Sequence, residues 1–179
     1  MRVDDPTMAT VLRDGDRIGL RYQRQLAHPP EKVWRALTES QHLRHWMPVD
    51  IHGPRETGAD IELPFWPDHV KAYEIDEPVL TGRIMSWAPP RLFEWTWGDD
   101  LLRFELAPAV SGTTLTFTTW LADPDRDGAA SAAGGYHVCL DYLARLLDGS
   151  TDRALTDPEV QAEADRWQER YARAVGQNA

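Results

Sequence analysis

Among the side chains able to do chemistry, His137 and Asp141 stand four apart in GGYHVCLDYLARLLDG. On a helix that spacing puts both on one face, where the carboxylate could orient the imidazole for acid–base work. The same spacing also describes an ordinary solvent-facing pair, worth about 0.3 kcal/mol. Which holds depends on whether His137 faces a cavity, so both stay open and the two residues are the catalytic candidates. His42, His45 and His52 are also close in sequence. Zinc takes three or four ligands, often His-x3-His on one helix face. A spacing of three with no carboxylate partner fits surface histidines better, and no metal site is expected. Cys139, the single cysteine, lies between Val138 and Leu140 and reads as a small buried hydrophobe rather than a nucleophile. No G-x-S-x-G element, phosphate loop or dinucleotide fingerprint occurs, and no cofactor is implied.

The aromatic residues are the stronger set. Eight tryptophans are present, and each brings a large apolar area with one N–H that needs a partner when buried. Trp46, Phe65, Trp66, Trp87, Trp95, Trp97, Phe104, Phe117 and Trp120, with Tyr136 and His137, are the candidates to line a ligand cavity. Solid core packing is the alternative for all of them; a pocket also needs a few polar groups, which Arg83, Glu94, His137 and Asp141 could supply.

Those residues must be positioned by the elements around them. Residues 1–16 are polar, without period, and expected to be a flexible N-terminus. RIGLRYQRQLA alternates as a half-buried strand that His28-Pro29-Pro30 ends. PEKVWRALT and SQHLRHWM predict two short helices, the second capped by Ser40. Residues 49–121 read as five or six strands, KAYEI among them, with hairpins at Gly98-Asp99-Asp100 and Val110-Ser111-Gly112. Thr114, Thr116 and Thr118 form a polar face opposite Leu115 and Phe117. LADPDRDGAA reads as a mobile loop before the long helix SAAGGYHVCLDYLARLLDG. A last helix from Pro158 follows, with a Thr156–Glu159 capping box and a stripe of Val160, Ala164, Trp167 and Tyr171. That stripe needs a partner, either the convex side of the sheet or a two-fold-related copy.

The chain of 179 residues, with 42% hydrophobic residues, suits one domain with a tail. A net charge of −10 argues against nucleic acid and anionic lipid as partners. No apolar run suggests a membrane span or signal peptide, which points to the cytoplasm.

Residues 17–149 resemble the START-like (SRPBCC, helix-grip, Bet v 1-like) superfamily, in the branch named after activators of a heat-shock chaperone's ATPase. His28-Pro29-Pro30-Glu31-Lys32-Val33-Trp34-Arg35-Ala36-Leu37-Thr38, Trp46, Pro90-Arg91-Leu92, Gly112-Thr113-Thr114-Leu115 and Gly134-Gly135-Tyr136 carry the likeness. Tyr136 stands where tryptophan is commoner in that branch. The resemblance implies an α+β helix-grip fold: a curved antiparallel sheet around a long C-terminal helix, with two short helices after the first strand. Residues 150–179 would add a linker and an accessory helix. It also implies one of several roles. The first is binding or sequestering a small apolar molecule, aromatic ones included. The second is a cyclase- or hydrolase-like enzyme using His137 and Asp141, and the third is a chaperone-associated interaction. The chain would be a monomer or homodimer.

Overall fold

The computed structural model describes residues 5–122 and 125–177. Seven strands form one antiparallel sheet in the order β1-β2-β7-β6-β5-β4-β3. They are β1 (Thr10–Asp14), β2 (Arg17–Leu26), β3 (Asp60–Pro64), β4 (Val79–Ala88), β5 (Leu92–Trp97), β6 (Asp100–Ala109) and β7 (Gly112–Leu121). From β4 to β7 each strand pairs with the next, as short connections favour. β7 then pairs with β2, which closes the sheet back onto its first half.

Period-two alternation sets the inner face. Ile18, Leu20 and Tyr22 meet Leu121, Thr119 and Phe117 across β2 and β7, and all six are buried. Phe93, Phe104 and Phe117 continue the row through β5, β6 and β7, with Phe104 and Phe117 stacked at 4.5 Å. Polar side chains fall on the other face, where Arg103 bridges Glu94 at 2.9 Å and Glu105 at 3.1 Å.

Five helices complete the fold among the described residues: α1 (Pro30–Thr38), α2 (Ser40–Leu43), α3 (Pro67–Tyr73), α4 (Arg126–Leu147) and α5 (Pro158–Gln177). α1 starts on Pro30, whose missing N–H costs nothing there, and buries Val33, Trp34 and Leu37. Lys32 Nζ donates to the Leu147 carbonyl at 2.8 Å, tying α1 to the unsatisfied end of α4. Asp125 caps α4, its carboxylate accepting the Gly128 N–H at 2.6 Å.

Several local expectations are corrected. Part of the N-terminus forms the edge strand β1, joined to β2 through Gly15 at φ 59°. KAYEI does not form a strand: Pro67 starts α3, and Glu74 ends it in the left-handed conformation at φ 49°. Ser40 does not cap α2, because its hydroxyl donates to Asp50 at 2.7 Å and Glu39 holds the cap position. α4 starts inside the segment expected to be a loop; residues 123 and 124 of that loop lie outside the described residues. At α5, Asp157 accepts the Glu159 N–H at 2.8 Å, so the cap falls one residue later than the Thr156 capping box.

The partner of α5 is neither of the two expected. Its stripe lies along α4, where Val160, Tyr171 and Val175 are buried. Gly134 permits that approach: a Cβ there would sit 2.8 Å from the Ala164 carbonyl oxygen and from the Gln168 nitrogen. α4 therefore has two covered sides, one against the sheet and one against α5.

Candidate functional site

The small residues of α4 create an opening on its sheet side. Ala132, Gly135, Tyr136 and Cys139 follow i, i+3, i+4, i+7 spacing and so share one face. Two of the four carry almost no side-chain volume, so the helix does not fill the space toward the sheet. A cavity of about 420 Å³ remains, open to solvent on one side, with all of its lining residues partly exposed. Leu80, Trp97 and Asp100 line it from the sheet and Pro48 from the segment after α2. Phe117 lies 5.1 Å from Tyr136, edge to face, and Phe65 lies 6.0 Å from Trp97, so both aromatic walls are braced from behind.

The chemistry of this lining is quiet. Burial pushes the Cys139 thiol up to about 12, which keeps it protonated at neutral pH. Burial first, then the Asp100 charge, holds the Tyr136 hydroxyl above its ordinary value. The Asp100 carboxylate accepts the Ala122 N–H at 2.8 Å. Among the described residues, no group of three His, Cys, Asp or Glu side chains could hold a metal ion.

Of the aromatic candidates, Trp97 and Tyr136 line this cavity. Trp46 is core: it is 2% exposed, and its indole N–H donates to the Ala36 carbonyl at 2.8 Å. Trp95 is buried between Phe93 and Trp97, and Phe104 and Phe117 are buried with it. Trp66 borders the lining without entering it, its indole donating to the Met47 carbonyl at 2.8 Å and its backbone N–H to the Pro48 carbonyl at 3.3 Å, while Trp87 meets Trp34 at 4.9 Å. Trp120 is corrected outright. It follows Thr114, Thr116 and Thr118 on the outer face, over Gly19 and with the Arg17 guanidinium 5.3 Å from its ring.

His137 also requires correction as a cavity residue. It faces the other side of α4, where its ring is 1% exposed and stacks on Trp167 at 3.5 Å. Its Nδ1 lies 3.0 Å from the Tyr171 hydroxyl, which already accepts the Ala9 N–H at 2.8 Å. That hydroxyl is thus placed to donate to a neutral ring, leaving the proton on Nε2, 3.5 Å from Asp141. Burial, then Arg24, pushes the His137 pKa down to about 3. Burial raises the Asp141 carboxyl, while Arg24 at 3.4 Å opposes that shift. The pair is real, and it ties α4 to α5, β2 and the N-terminal segment.

Pro48, Leu80, Asp100, Ala132, Gly135 and Cys139 join the site without having been marked in the sequence as ligand contacts. Helical spacing of small residues was the available signal for the α4 members, whereas the sheet members depend on tertiary placement.

The sequence model for the family described as activator of Hsp90 ATPase homolog 1-like protein matches residues 27–148, and the chain belongs to that family. No curated protein matches the chain. Among solved structures, a conserved protein of unknown function from Enterococcus faecalis aligns with TM-score 0.70 at 18% identity, over 90% of this chain and 89% of that one. CalU16 from Micromonospora echinospora, in its solution structure, aligns with TM-score 0.67 at 16% identity, over 99% and 100%. A Bordetella parapertussis protein aligns with TM-score 0.65 at 26% identity, over 89% and 86%. These likenesses support the helix-grip fold.

Proposed function

We propose that the chain binds a small hydrophobic molecule in the cavity between α4 and the sheet. The observation carrying this reading is the cavity itself: about 420 Å³, walled by Trp97, Tyr136, Leu80 and Pro48, and floored by Ala132 and Gly135. That size falls within the range for small-molecule sites, and a mostly apolar lining with few polar groups is their usual composition. The lining brings one carboxylate, Asp100, with no histidine or activated nucleophile beside it, which favours binding or sequestration over hydrolysis. The stripe of α5 is satisfied by α4 of the same chain, which supports a monomer.

Trp97 provides the readout. Titration with a panel of naphthyl and indolyl compounds should change tryptophan emission saturably. Gly135→Leu should abolish that response while leaving the fold intact, because a Cβ at Gly135 meets nothing within 4 Å. A panel that gives no saturable response, or a response unaffected by Gly135→Leu, overturns the reading.

A further inference from the structure

The cavity's charge narrows what it would hold, given the apolar-cavity reading above. Three lining side chains can titrate: Asp100, Tyr136 and Cys139. The phenol and the thiol stay protonated at neutral pH for the reasons given above, so the Asp100 carboxylate is the formal charge of the lining. Asp99, its neighbour in the turn, lies outside this lining. Asp100 has no ion-pair partner among the described residues. One of its oxygens accepts the Ala122 N–H, which leaves the other available to a donor from the cavity.

Two aromatic residues, Trp97 and Tyr136, line the same space. A carboxylate beside aromatic faces is a favourable setting for a cation, through ion pairing and through attraction to the ring quadrupole. An anionic ligand would meet repulsion there, and a neutral one would gain at most a hydrogen bond. The net charge of −10 further favours the approach of cations over anions.

We infer that the cavity selects hydrophobic amines, with the ammonium group held by Asp100 and the apolar body between Trp97 and Tyr136. Asp100 is thereby a specificity-determining residue.

The experiment is calorimetric titration at neutral pH and low salt with three matched probes. These are 2-(2-naphthyl)ethylamine, 2-(2-naphthyl)ethanol and 3-(2-naphthyl)propanoic acid. The wild type should bind the amine about tenfold more tightly than the alcohol, as a partly buried ion pair with aromatic support allows, and the acid most weakly. Asp100→Asn keeps the acceptor for Ala122 and removes the charge. It should erase the amine preference by weakening the amine far more than the alcohol, whose hydroxyl can donate one hydrogen bond to Asp100 but forms no ion pair with it. Equal amine and alcohol affinity in the wild type, or a preference that survives Asp100→Asn, overturns the charge selection. If the alcohol still binds and Gly135→Leu removes it, the apolar-cavity reading stands while the amine assignment falls. Absence of heat with all three probes overturns both.

Discussion

Acidification should loosen the joint between α4 and α5 through His137. In the folded chain its pKa is pushed from 6.5 down to about 3 by burial, with Arg24 and Arg170 adding to the shift and Asp5 opposing it. Between those values the unfolded chain binds a proton that the folded chain refuses. Stability therefore falls as pH drops below about 6.5, and this loss ends once the folded ring protonates near 3. Each pH unit corresponds to at most about 1.4 kcal/mol, so moving from pH 6.5 to 4.5 costs up to about 2.7 kcal/mol. Asp141 beside the ring is partly open to water, and screening there reduces the expected loss to about 1–2 kcal/mol. The raised Asp141 carboxyl acts in the opposite sense, since it takes up a proton more readily when folded, and this softens the lower end of the window. The assay is urea unfolding of the wild type and His137→Asn at pH 7, 6, 5 and 4.5. Asparagine can still meet the Tyr171 hydroxyl but does not titrate. Carboxylates elsewhere in the chain contribute nearly equally to both proteins, so the difference between them isolates the histidine. The wild type should be the more stable at pH 7, and its advantage should shrink by about 1–2 kcal/mol by pH 4.5. Parallel curves, or an advantage that grows on acidification, refute the assignment of a buried neutral imidazole.

Two further outcomes follow from the same geometry. Gly134→Val should wedge α4 from α5 and lower stability by about 1–3 kcal/mol, whereas Gly135→Val on the open side should cost far less. Thermal melts of the two variants check this, and equal losses contradict it. Cys139, with its thiol pushed up to about 12, should react slowly with iodoacetamide at pH 8, in contrast to an exposed cysteine peptide. Rapid alkylation of the folded protein contradicts that environment.

Much of the fold was legible because alternation and helical period leave direct marks in the sequence. β5, β6 and β7 could be read from the alternation through Phe93, Phe104 and Leu115, their hairpins from Gly98-Asp99-Asp100 and Val110-Ser111-Gly112, and the apolar face of α4 from the spacing of Leu140, Leu143 and Leu147. Elements whose marks are weak were missed. β1 is a short edge strand with Arg13 and Asp14 exposed, and α3 has only seven residues starting at Pro67. For His137 the choice between cavity and solvent stays open in the sequence, because the sequence of α4 cannot show that α5 covers it. Trp120 could have been read correctly from the threonine alternation it continues. Its size suggested a cavity wall, but its register puts it outside. Within the site, Trp97 and Tyr136 were visible as large aromatics on the right elements. Ala132 and Gly135 contribute by lacking volume, and Asp100 by its place at the start of β6. Neither contribution acquires meaning before the helix meets the sheet.

A crystal structure of the protein soaked with 2-(2-naphthyl)ethanol tests the central claim most directly, because the neutral probe needs no ion pair with Asp100. The account predicts naphthyl density in the space bounded by Trp97, Tyr136 and Gly135, in contact with Leu80 and Pro48. Trp97 or Leu80 filling that space, or probe density only on the outer surface, contradicts it.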